Sequence, residues 1–194
     1  MSNLSILIQR WQEGDERAAE AIYNHHREST FRLAYGLLGN PADAEEVLQT
    51  VYLKILQGKA IYRGESKLQT WLFAVIRKTA INERRKQWLR TLISIPGKTS
   101  DVHNELESEF ERSEMQQRFQ QALAQLPARQ RETLHLVFYQ DLSLSEAAGV
   151  MNISLGSARR HYERGKKHLR ATLDREGVEY GIGWNRKENS SAVL

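Results

Sequence analysis

Between Ser157 and Lys167 one helix face carries six side chains able to bind an anion or a base edge: Ser157, Arg159, Arg160, His161, Arg164 and Lys167. Guanidinium forks match guanine edges and phosphates, and hydroxyl, imidazole and ammonium donors add further contacts, so one exposed helix face with this set suits a major groove. A second set, Arg77, Lys78, Asn82, Arg84, Arg85 and Lys86, follows the aromatic residues Trp71 and Phe73. Cations serve phosphates, while aromatic rings and pockets serve extruded bases, a combination suited to a single-stranded or melting backbone. Core packing is the ordinary use of Trp71 and Phe73. A third segment shows Asp43, Glu46 and Gln49 on one side and Val47, Leu48, Val51, Tyr52 and Ile55 on the other. Taken alone it is an amphipathic helix with a solvated acidic edge.

The elements that must hold these sets are helical. Proline occurs only at 41, 96 and 127, and no strand-like alternation is sustained. Around the first set, Leu144, Ala147, Ala148 and Met151 mark one short apolar face. Asn152 suits a left-handed bend, Ile153 fills the corner, and Ser154 can cap the next helix. Ala158, Tyr162, Gly165 and Leu169 then return at helical spacing, giving a helix-turn-helix pattern. Gly39-Asn40-Pro41 is a stop and restart, with Pro41 in a first turn followed by Asp43, Glu45 and Glu46. The spacing predicts helices over 3–12, 16–38, 41–57, 68–90, 113–124, 128–140, 143–151 and 155–174, and a loop over 58–67.

Charge divides the chain. Residues 77–90 hold six Lys or Arg against Glu83, residues 159–170 hold six against Glu163, and residues 101–114 hold six acids against Arg112. The expected architecture is all-α: two small helical domains, 1–91 and 113–176, joined by a flexible acidic linker, 92–112, with a loosely ordered tail at 177–194. The net charge of +4 is mild, so its segregation carries the meaning.

Several classes of function are excluded or disfavoured. Without cysteine there is no disulfide framework, thiolate metal site or cysteine nucleophile. No apolar run approaches the roughly eighteen residues of a membrane span, and the N-terminus lacks a signal peptide's features, so a cytoplasmic location is expected. His25, His26 and Glu28 could suggest a metal site. Adjacent histidines point about 100° apart on a helix, however, and a solvated face is the expectation there. With no phosphate loop and no nucleophile elbow, we expect neither catalysis nor any cofactor or metal.

Two stretches together carry a family resemblance. LPARQRETLHLVFYQDLSLSEAAGVMNISLGSARRHYERGKKHLRATL resembles region 4 of the extracytoplasmic-function sigma factors of the sigma-70 family, and DAEEVLQTVYLKI followed by YRGESKLQTWLFAVIRKTAINERRK resembles their region 2. The resemblance implies a sigma factor that directs promoter-specific initiation. It implies core RNA polymerase binding through Asp43, Glu45, Glu46, Gln49 and Tyr52. It places minus-ten recognition and melting at Tyr62, Arg63, Ser66 and Lys67 of a base-capturing loop, 62–68, and at Arg77, Lys78, Asn82, Arg84, Arg85 and Lys86. The minus-thirty-five element falls to Ser157, Arg159, Arg160, His161, Arg164 and Lys167. Expected partners are core RNA polymerase, promoter DNA as duplex and as single non-template strand, and an anti-sigma factor. Lys78 departs from the family's usual Asn, and His161 from its usual Arg, with Arg160 a candidate to take over that contact. Two other readings stand beside it: a dimeric helix-turn-helix regulator with residues 1–90 as sensor or dimerisation domain, and a helical adaptor that binds only protein. The first leaves the basic and aromatic stretch 62–86 without a role, and the second leaves both basic blocks unexplained.

Overall fold

The computed structural model describes residues 3–93 and 121–175, and all of its regular elements there are helices. Helix α1 spans Asn3–Gln12. Asp15 then accepts hydrogen bonds from the N–H groups of Arg17 and Ala18, two of the donors a helix start leaves without partners, and α2 runs Glu16–Leu38. It ends where Gly39 turns left-handed, φ 74°, and returns its N–H to the Tyr35 carbonyl. Asn40 caps the following helix through Ala42 and Asp43, Pro41 supplies its first turn, and α3 runs Pro41–Leu56. After the loop 57–67, α4 spans Leu68–Ile93. Leu33, Val47, Leu48, Val51, Leu72, Phe73 and Ile76 are fully buried among these helices. Burial of one such side chain contributes about 1.5–3 kcal/mol, which is what holds four individually marginal helices together.

The second group follows the expected punctuation. Residues 121–124 are helical. Helix α5, Ala128–Leu134, continues into a single π-helical turn, His135–Tyr139, where an uninterrupted helix to 140 was expected. The wider turn accompanies a stack of His135 on Tyr139, ring centroids 5.3 Å apart. Helix α6, Leu144–Met151, begins in a reciprocal capping box between Ser143 and Glu146, and ends at Asn152 in the left-handed conformation, φ 52° and ψ 53°. Ser154 then accepts the Ser157 N–H at the start of α7, Leu155–Arg175. The expected buried face of α7, Ala158, Tyr162, Gly165 and Leu169, is buried. Gly165 permits the close approach: a Cβ there would lie 3.2 Å from Leu134 and 3.3 Å from Gln130.

The two groups share one hydrophobic core, with α6 packed along α4 and the π-turn against α2. Gly36 of α2 faces the His135 ring closely enough that a Cβ would sit 3.0 Å from its Cε1. The all-α expectation holds. Most of the expected linker, most of the helix at 113–124 and the tail at 177–194 lie outside the described residues; residues 92 and 93 belong to α4.

Candidate nucleic-acid interface

The loop 57–67 is shaped by its own side chains. The Tyr62 hydroxyl donates to the Ser66 carbonyl at 2.6 Å, and the Tyr62 carbonyl accepts from Gln12 Nε2 of α1 at 3.0 Å. The Tyr62 ring packs on Trp71, centroids 5.4 Å apart, and Trp71 in turn meets Trp11 at 6.2 Å. Trp71 is therefore half-buried scaffolding for the loop, while Phe73 is fully buried core. Arg63 and Ser66 lie exposed at the loop's tip.

Along α4 the side chains expected to meet the strand separate into two kinds. Lys78, Asn82, Arg84, Arg85 and Lys86 are exposed. Arg84 donates to the Leu37 carbonyl at 3.3 Å, and Lys86 pairs with Glu83 at 2.7 Å. Arg77 is different. It is buried and paired with Glu132 of α5, both carboxylate oxygens accepting from its guanidinium. Lys67 stays exposed while pairing with Glu146 of α6 at 2.8 Å. Burial works to raise the Glu146 carboxyl, but hydrogen bonds from Lys67 and Ser143 outweigh it and hold the group below its ordinary pKa. Neither carboxylate was foreseen, because each lies more than fifty residues along the chain from its cation.

The basic face of α7 forms as expected. Arg159, Arg160, Arg164 and Lys167 are exposed and His161 is half-buried. Arg160 Nη2 donates to the Ser157 hydroxyl at 3.2 Å, which itself accepts from Ser154, so the helix's first turn is linked by side-chain bonds. Leu155, also exposed, adds an apolar contact at the helix start that was not expected from the sequence. An apolar side chain there can meet a thymine methyl, while the forked donors meet guanine or phosphate.

On α3, Glu46 and Gln49 are exposed, and Asp43 and Glu45 are half-exposed. Glu45 lies 3.9 Å from Arg27 of α2. Tyr52 turns inward, its ring edge-on to Tyr23 at 4.5 Å, and burial pushes its phenol above the ordinary pKa. Tyr52 and Tyr23 form one wall of an apolar cavity of about 390 Å³ with Trp11, Ile55, Leu56 and Leu72, a feature with no local sequence signal.

The expectation of a solvated His25–His26 face needs correction. His25 and Glu28 are exposed, but His26 is buried, because it continues the inward stripe of Ile22, Thr30 and Leu33. Desolvation, with the neighbouring His25, lowers its pKa to about 4. Burial, with the Arg32 charge, lowers His135 to about 4 as well. Among the described residues no cluster of His, Asp or Glu could hold a metal ion, and no helix is long and apolar enough to cross a membrane.

Comparison with known proteins matches both halves of this arrangement. Residues 22–90 match the family model for sigma-70 region 2, and residues 116–169 the model for sigma-70 region 4. The chain is 30% identical over 156 residues to the ECF RNA polymerase sigma factor EcfG of Rhodopseudomonas palustris, covering 75% of this chain and 80% of that protein. It is 27% identical over 159 residues to the ECF RNA polymerase sigma factor SigL of Mycobacterium tuberculosis, covering 81% and 90%. Its fold is similar to the sigma factor RpoE of Bartonella quintana, solved with the anti-sigma factor NepR: TM-score 0.64, 21% identity, 80% of this chain and 96% of that one.

Proposed function

The chain belongs to the extracytoplasmic-function branch of the sigma-70 family, and we propose that three of its surfaces divide the work of promoter-specific initiation. It binds core RNA polymerase and promoter DNA and directs where transcription begins. Helix α3 recruits the polymerase: Asp43, Glu45, Glu46 and Gln49 supply complementary charge, which governs on-rate and specificity, and Tyr52 supplies apolar area beside it. The basic face of α7 anchors the upstream, minus-thirty-five element in its major groove, with Arg160 taking the leading donor position beside His161. The loop 62–68 takes a flipped base of the minus-ten element, and the cations of α4 follow the separated strand. Unstacking a base costs a few kcal/mol, which stacking and hydrogen bonds in a preformed pocket can offset without nucleotide hydrolysis.

The observation that carries this division is the loop itself. Tyr62 fastens it through Ser66 and Trp71 at the foot of the basic helix α4, an arrangement that a dimerisation domain does not require. The chain is then a non-enzymatic factor, at work in the cytoplasm where polymerase and promoter are. Two domains, 1–91 and 113–176, joined through 92–112, would give the two DNA surfaces separate reach. An anti-sigma factor is an expected partner, since RpoE of Bartonella quintana is held by one. In vitro transcription with core enzyme and genomic fragments tests the function: discrete promoter-dependent transcripts are expected. Tight duplex binding by a dimer, with no initiation, would refute it.

A further inference from the structure

The cavity beside α1 shares only Tyr52 with the surfaces assigned above, and its lining is chemically one-sided. Its floor is the buried set Ile22, Ile55, Leu68 and Leu72, and its walls carry the rings of Trp11, Tyr23 and Tyr52. At about 390 Å³ it falls within the range of small-molecule sites, which bury an apolar body and orient it with a few polar groups. Its walls are held from outside. Trp11 meets Trp71 at 6.2 Å, the adjoining Gln12 donates to the Tyr62 carbonyl at 3.0 Å, and Tyr23 stands edge-on to Tyr52 at 4.5 Å.

Among the described residues the charged side chains lining this cavity are Glu16 and Glu20, with no Lys, Arg or His beside them. With Ala19 and Tyr23 they occupy one face of α2, at i, i+3, i+4 and i+7. Both carboxylates are exposed, and neither forms an ion pair among the described residues. Glu16 is favoured by its place in the first turn, but Glu20 lies a turn further on and repels Glu16. A cation answers both. We propose that the cavity is a binding site for a small organic cation, its apolar or aromatic body on Ile22, Ile55 and Leu72 and its ammonium group at the mouth beside Glu16 and Glu20. The wall rings act in the same sense, since a π-face attracts cations and repels anions. A nucleic-acid strand is excluded as the occupant, because its phosphates would enter beside two carboxylates of like charge.

The test titrates three probes of one shape into the full chain near neutral pH: 4-phenylbutylamine, neutral 4-phenylbutanol and anionic 4-phenylbutanoate. By isothermal calorimetry the amine should bind about fivefold more tightly than the alcohol, as exposed ion pairing provides, and the anion most weakly. Glu16→Gln with Glu20→Gln, two exposed changes, should bring amine and alcohol to equal affinity. Ala19→Phe, which fills the cavity from its half-buried rim, should abolish binding of both while circular dichroism shows helical content retained. Location is read without any variant from the indole N–H resonances: the amine should move that of Trp11 and leave that of exposed Trp88 in place. Absence of amine binding, equal affinity for amine and alcohol in the parent chain, a Trp11 resonance that stays put while the amine binds, or full affinity in folded Ala19→Phe would overturn the site.

Discussion

Among the cations of α4, Arg85 and Lys78 are exposed and form no ion pair among the described residues, while Arg84 is held only by one bond to the Leu37 carbonyl. Lys86 is already neutralised by Glu83, and Arg77 by Glu132. Each phosphate contact on a single strand contributes about 0.7 to the slope of log K against log salt. Replacing Arg84 and Arg85 with Ala should therefore make the slope shallower by about 1.4. Over a fourfold rise in salt, the parent chain should lose roughly sevenfold more affinity than the double variant, from the same relation. Lys86→Ala should change the slope by less than half as much as Arg85→Ala, because the Glu83 pairing leaves less counterion release to lose. The assay is polymerase open-complex formation on one promoter over a salt series. Equal slopes for Arg85→Ala and Lys86→Ala, or no change in the double variant, would refute the separation of free from paired cations and take α4 off the strand.

Further outcomes follow from the same geometry. Gly149 sits in α6 with open space for 4 Å around the position a Cβ would take, so Gly149→Ala should stabilise by about 0.5–1 kcal/mol in thermal unfolding. Gly165→Ala should instead destabilise by about 1–3 kcal/mol, since its Cβ meets Leu134 and Gln130 at 3.2–3.3 Å; equal effects at the two glycines would contradict the α5–α7 packing. His26 and His135 have folded pKa values of about 4, below the unfolded 6.5, so their stabilisation is complete above pH 6.5 and is lost as pH falls toward 4. Each should contribute up to about 2 kcal/mol of destabilisation at pH 5, visible as a lower Tm that His135→Gln partly removes. Arg160→Ala should relax base preference at one minus-thirty-five position by about 1–3 kcal/mol in a binding-selection experiment, whereas a uniform loss across sequences would make Arg160 a phosphate contact.

What the sequence made legible is what neighbouring residues decide. Gly39-Asn40-Pro41 announces a left-handed stop, a side-chain cap and a proline first turn within three residues, and the structure has all three. Asn152 and Ser154 likewise mark the bend before α7 through their own backbone chemistry. The misses share the opposite character. Arg77 and Arg85 look alike in a basic run, and only the approach of Glu132, brought from 55 residues away by tertiary packing, buries one and leaves the other exposed. His26 reads as polar surface until the stripe Ile22, Thr30 and Leu33 shows which side of α2 faces the core. The π-turn at His135–Tyr139 has no signal in helix propensity, since it widens a helix without breaking it. The resemblance to regions 2 and 4 supplied the functional frame, and the structure adds which of the expected cations are open to a ligand.

The central claim is that the stretch 62–86 opens DNA. Permanganate reactivity of promoter thymines, with core polymerase and the full chain, measures that most directly. Unpaired thymines should appear across the minus-ten element with the parent chain, and should be lost with Tyr62→Ala while duplex binding upstream persists. Reactivity that is unchanged by Tyr62→Ala, or a promoter that stays fully paired while transcription proceeds from it, would contradict the account.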